Sequence, residues 1–140
     1  MKRKIAHIGI IAFGLFFATS CSNFEGIQGS GKIVSTDRNL TGYNAIKTCC
    51  GIDVIITQAE TESVRVETDD NLQQYIKTEL KGKTLNIFTD GSQLHFKTIK
   101  VYVNAKKLNK IETSSGADVT KPNQLQADSI NLSTARGEIG

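Results

Sequence analysis

Few residues in this chain could do chemistry, and the cysteines come first. The 140 residues include three, and two are adjacent, Cys49 and Cys50, in the stretch "IKTCCGIDV" at 46–54. Adjacent thiols could serve as a redox pair, as two ligands of a metal, or as small packing residues. A zinc site wants about four ligands, yet beyond this pair the chain has no second cysteine pair and two histidines, His7 and His95. Neighbouring residues of an extended strand point to opposite faces, which disfavours a bond between the two sulfurs there. Cysteine also behaves as a small apolar side chain. Packing is therefore the expected role of the pair. A vicinal disulfide, admitted by an oxidising compartment, and a metal or catalytic role are the alternatives.

The third cysteine, Cys21, ends the opening "MKRKIAHIGIIAFGLFFATSC". Lys2, Arg3 and Lys4 form a basic start, 5–17 is mostly apolar, and the small residues Ala18, Thr19 and Ser20 precede the cysteine. That succession is an export signal. A bilayer-spanning helix needs about twenty apolar residues, and this run is shorter and interrupted by His7, Gly9 and Gly14. Small residues ahead of a cysteine make the segment resemble a bacterial lipoprotein signal. The expectation is therefore cleavage after residue 20 and lipidation of Cys21, which would hold the protein to a membrane. Ala18 stands where such signals most often carry an aliphatic residue such as leucine, and ordinary signal cleavage is the alternative. Residues 21–41 read as a tether and a lead-in strand, with little periodicity before Lys32. Glu25 is the lone acid directly behind the cysteine, so nothing there argues for surface display, and the periplasmic side of the outer membrane is the favoured location.

The formal charge of +3 resides in the first four residues, and without them fourteen bases face fourteen acids. A neutral chain lacks the clustered Lys and Arg that phosphate binding depends on, so nucleic acid is not an expected partner. No cofactor is expected either. Tryptophan is absent and Pro122 is the one proline.

The elements that must position these residues are announced by a repeat. Sixty-five residues after "IKTCCGIDV" comes "IETSSGADV" at 111–119, with Ser114 and Ser115 in the places of Cys49 and Cys50. "INLSTARGEI" at 130–139 follows the same grammar with one extra residue. Each copy reads as a strand, a tight turn and a second strand, with Gly51, Gly116 and Gly137 in turn positions where a Cβ would be resisted. The acids Asp53, Asp118 and Glu138 follow those glycines, and stacking of the copies would align them. They are weak candidates for calcium, which takes six to eight oxygen ligands. The alternative is that each acid closes its own turn.

Alternation continues between the copies. Val64 with Val66, Leu85 with Ile87, and Ile99, Val101 and Val103 show the period of two that marks half-buried strands. "ELKGKTL" and "FTDGSQL" read as turns, and "DDNLQQYIKTEL" as a single helical turn or a bent connection.

From about residue 42 to the end, the chain resembles the auto-transporter adhesin head domain, also called the GIN domain, found largely in envelope lipoproteins of Bacteroidetes-type bacteria. The resemblance rests on "YNAIKTCCGIDVIITQ", "SVRVETDDNL", "IKTELKGKTLNI" and "IETSSGADV", in that order. It implies an all-β, right-handed β-solenoid and an exported, often lipid-anchored protein, with no catalytic residues to carry over. Members usually continue with further glycine-and-acid turns, whereas this chain stops at Gly140 inside its third copy. An incomplete C-terminus is expected, with an unpaired edge there open to self-association. The expected function is a non-catalytic envelope binding, adhesin-like or scaffold module for a glycan or protein ligand. The alternatives are an envelope stress or signalling accessory and a polysaccharide-active enzyme. Exposure of aromatic side chains would discriminate among them.

Overall fold

The computed structural model describes residues 26–120, 131–135 and 138–139. The signal segment, Cys21 and Gly137 lie outside them. The strands among the described residues are β1 (Ile27–Gln28), β2 (Ile33–Arg38), β3 (Ala45–Thr48), β4 (Asp53–Gln58), β5 (Ser63–Asp69), β6 (Ile76–Lys81) and β7 (Thr84–Thr89). They continue as β8 (Leu94–His95), β9 (Lys100–Ala105), β10 (Lys110–Ser114), β11 (Asp118–Thr120), β12 (Asn131–Ala135) and β13 (Glu138–Ile139). The structure is all-β. The "DDNLQQY" stretch resolves into a single 3-10 turn at Gln73–Tyr75.

Two open sheets carry the fold. A five-stranded sheet has the order β12-β10-β3-β7-β6 and a six-stranded sheet the order β13-β11-β4-β9-β5-β2. Within both, the strands from the repeated copies run parallel: β3, β10 and β12 in the first, β4, β11 and β13 in the second. Copies sixty-five residues apart in sequence are thus direct neighbours, with Ile111 paired to Ile46 on one side and to Leu132 on the other. At the far end of each sheet the pairing becomes antiparallel, β6 on β7 in one and β5 and β2 beyond β9 in the other. The edge strand β6 turns Glu79 and Lys81 to solvent, and charged edges resist pairing with a further chain.

The core lies between the sheets, because period-two alternation sends every second side chain inward. One row joins Leu85, Ile46 and Ile111, and another joins Val101, Val54 and Val119, all at most 1% exposed. Each such side chain contributes roughly 1.5–3 kcal/mol by leaving water. Tyr43 is buried at the edge of this core, its hydroxyl 2.6 Å from the Asn104 carbonyl and 3.1 Å from that of Ser63.

The repeated turns pass the chain from one sheet to the other. In the first copy Cys50 and Gly51 have φ of 70° and 71°, and in the second Ser115 and Gly116 have φ of 57° and 76°. Two successive positive φ values mark a type I′-like turn. It is closed by the Ile52 N–H donating to the Cys49 carbonyl and the Ala117 N–H donating to that of Ser114. The Gly51 N–H then donates to the Ser115 carbonyl at 3.2 Å, so the turns stack as the strands do.

The expectation that Cys49 and Cys50 serve as buried packing residues is corrected here. Their sulfurs are joined in a vicinal disulfide, and both residues are half-buried. The opposite-face rule holds within strands, but β3 ends at Thr48, so the pair occupies the turn. There the left-handed backbone at Cys50 replaces strand geometry and allows the two sulfurs to meet.

Candidate functional site

In-register stacking gives each sheet an outer face made of cross-strand rows. On the six-stranded sheet one row runs Asp37, Arg65, Tyr102, Ile55 and Thr120. Tyr102 sits at its centre because β9 alternates, burying Val101 and Val103 and turning Lys100, Tyr102 and Asn104 outward. Around its ring lies a groove of about 330 Å³ lined by Ser35, Ser63, Arg65, Glu67, Tyr102 and Asn104.

The polar groups of this groove are held in place by one another. The Arg65 Nε donates to Asp37 Oδ1 at 2.7 Å and its second nitrogen reaches Oδ2 at 3.3 Å. That fork keeps the Asp37 carboxyl below its ordinary range and the Arg65 guanidinium above its own. Asn104 Nδ2 donates to Ser63 Oγ at 2.9 Å, and the Tyr102 hydroxyl lies 3.5 Å from Glu67 Oε1. An aromatic ring beside an amide, a carboxylate and hydroxyls offers one apolar surface and several directed hydrogen bonds. Ser35 Oγ also donates to Glu67 Oε2 at 3.4 Å, so the groove sets a ring of directed polar groups around one aromatic face.

The acids singled out in the sequence occupy the next row of the same face. Asp118 pairs with Glu138, and the pairing of Val119 with Val54 brings Asp53 beside Asp118. On its other side Asp53 pairs with Lys100. Burial, then the charge of Asp118, push the Asp53 carboxyl up, and Lys100 opposes them. Two carboxylates fall short of the six to eight oxygens calcium takes. Among the described residues no group of three or more His, Cys, Asp or Glu side chains could hold a metal ion. The Glu138 side chain is outside those described.

The outer face of the five-stranded sheet differs in character. Lys47 and Glu112 face each other at 3.8 Å, Lys110 also pairs with Glu112, and Lys81 pairs with Glu79 at 3.4 Å. A second groove, of about 250 Å³, lies here beside the disulfide.

Sequence reasoning passed over Tyr102 and Arg65, although the alternation of "KVYVNA" already places Tyr102 opposite Val101 and Val103. The long-range pairing that sets Arg65 and Asp37 next to it has no local signal.

Residues 42–138 match the family described as "Putative auto-transporter adhesin, head GIN domain". The chain belongs to that family. Solved structures agree with this GIN-domain assignment. A "putative adhesin" from Parabacteroides merdae is 25% identical, with a TM-score of 0.71, covering 77% of this chain and 46% of its own. Another "putative adhesin", from Parabacteroides distasonis, is 31% identical, with a TM-score of 0.63, over 69% of this chain and 42% of its own. A "putative lipid binding protein" from the same organism shares the fold at 24% identity and a TM-score of 0.63, over 81% of this chain and 53% of its own. The chain thus spans about half the length of these structures. No curated protein matches it.

Proposed function

We propose that this chain is a non-catalytic binding module of the adhesin kind, built on a right-handed β-solenoid. A lipid on Cys21 holds it to the periplasmic side of the outer membrane. The solenoid reading is supported by the parallel, in-register neighbours β3, β10 and β12 and by β4, β11 and β13. The single observation that carries the binding reading is the groove around Tyr102, where a half-buried ring is set among Arg65, Glu67 and Asn104 on a rigid sheet. A glycan suits such a surface, with a sugar face against the ring and its hydroxyls on the fixed polar groups. Family membership and the relatives described as adhesins point the same way.

Two experiments on the full chain test the two parts. Cells fed a clickable fatty acid should label the wild type and leave Cys21→Ser unlabelled. On a glycan array, the purified wild type should retain a defined set of saccharides that Tyr102→Ala binds at least tenfold more weakly. Equal labelling of wild type and Cys21→Ser would overturn the anchor. An identical array profile for wild type and Tyr102→Ala would overturn the binding face.

A further inference from the structure

The disulfide is not needed to make its turn. In the next copy Ser114, Ser115 and Gly116 adopt the same left-handed pair of residues and the same closing hydrogen bond with no sulfur present. What the sulfurs add is surface. Cys49 lines the groove of about 250 Å³ on the outer face of the five-stranded sheet, together with Phe88, Ile87 and Asn86, and Lys47 and Lys81 stand at its rim. Bonded sulfur is polarisable and apolar, and with Phe88 it gives this groove a floor unlike that around Tyr102.

The rim is cationic. Lys47 and Lys81 have side chains 60% and 70% exposed. Their ion pairs with Glu112 and Glu79 are solvent-exposed and therefore weak. Lys77, beside Phe88 on β6, and Lys110 lie on the same face, so its lysines outnumber its acids. The groove is smaller than the 300–1,000 Å³ of sites that take drug-sized ligands. It suits a short chain or one ring.

We propose that this groove binds a small free anionic amphiphile, its apolar part against Phe88 and the Cys49–Cys50 disulfide and its carboxylate or phosphate between Lys47 and Lys81. The site is on the other sheet from Tyr102 and does not depend on the adhesin reading. No bond is made or broken in binding.

Saturation-transfer NMR of octanoate, octyl phosphate and octanol against the full chain tests it. Octanoate and octyl phosphate should both bind through their methylenes, at least fivefold more tightly than octanol. Phe88→Ala should weaken both anions at least fivefold. The double variant Lys47→Gln, Lys81→Gln, confined to exposed side chains, should erase the preference over octanol. Cys49→Ser with Cys50→Ser should keep the wild-type circular dichroism, as the Ser114–Ser115 turn indicates, and weaken the anions at least threefold. Tyr102→Ala should leave their affinity unchanged. Octanol binding as tightly as octanoate, unchanged affinity in Phe88→Ala and the lysine double variant, or binding to phosphatidylglycerol vesicles with none to the free anions would overturn the proposal.

Discussion

Replacing Ile46 with alanine is expected to lower the unfolding free energy by about 3–4 kcal/mol, near the upper part of the range for buried Ile→Ala changes. Ile46 is 1% exposed and sits mid-sheet, with Leu85 on one neighbour and Ile111 on the other, both fully buried. Strands on both sides hold the backbone in register, so the surroundings cannot collapse into the space left by the lost methyl groups. A domain of this size has about 5–15 kcal/mol in total, and the loss would remove a large part of it. Urea unfolding followed by circular dichroism measures the effect. Ile33→Ala serves as the comparison, since Ile33 is 47% exposed and should shift stability by no more than about 0.5 kcal/mol. Equal costs at the two positions would mean that Ile46 does not lie buried between β7 and β10.

The second large effect is expected in alkali, at Tyr43. Burial, then the charge of Glu62, push its hydroxyl up to about 12. An unfolded tyrosine ionises near 10. Between about pH 10 and 12 the unfolded chain therefore releases a proton that the folded chain retains, and stability falls as pH rises. The two-unit difference corresponds to roughly 2–3 kcal/mol across that window. Tyr43→Phe should lose about 1 kcal/mol at neutral pH, through the lost hydrogen bond to Asn104 or Ser63. It should also be distinctly less sensitive to pH between 10 and 12 than the wild type. Parallel slopes for the two proteins, in chemical denaturation at fixed pH values, would show that Tyr43 is not the group responsible.

Much of this architecture is legible in the sequence, and the reasons are local. Val64 with Val66, Leu85 with Ile87, and Val101 with Val103 alternate as their strands require, and all are buried. The match between "IKTCCGIDV" and "IETSSGADV" foretells two turns of one backbone. The fourfold spacing of Leu72, Ile76 and Leu80 is a partial signal. Leu72 and Ile76 are buried around a 3-10 turn, but Leu80 belongs to the extended β6 and is 36% exposed. The disulfide is illegible to a rule about strands because the two cysteines sit in the turn that follows one. Neighbour choice is illegible for a different reason. The insertion of β3 between β7 and β10 depends on pairings across dozens of residues, to which no short window of sequence responds. The Tyr102 groove inherits that gap, since Arg65 and Asp37 reach it from strands far along the chain.

The solenoid reading depends on the repeated copies lying side by side in register, and the Gly51 amide reports on this most directly. In a nuclear Overhauser spectrum of the labelled full chain, that amide proton should show contacts to Ser115 and Gly116, and the strand pair Lys47 and Glu112 should show cross-strand contacts. The hydrogen bond to the Ser115 carbonyl should also slow exchange of the amide with solvent. A Gly51 amide that exchanges as freely as an unstructured one, with no contact between residues 46–51 and 111–116, would contradict the stacked arrangement.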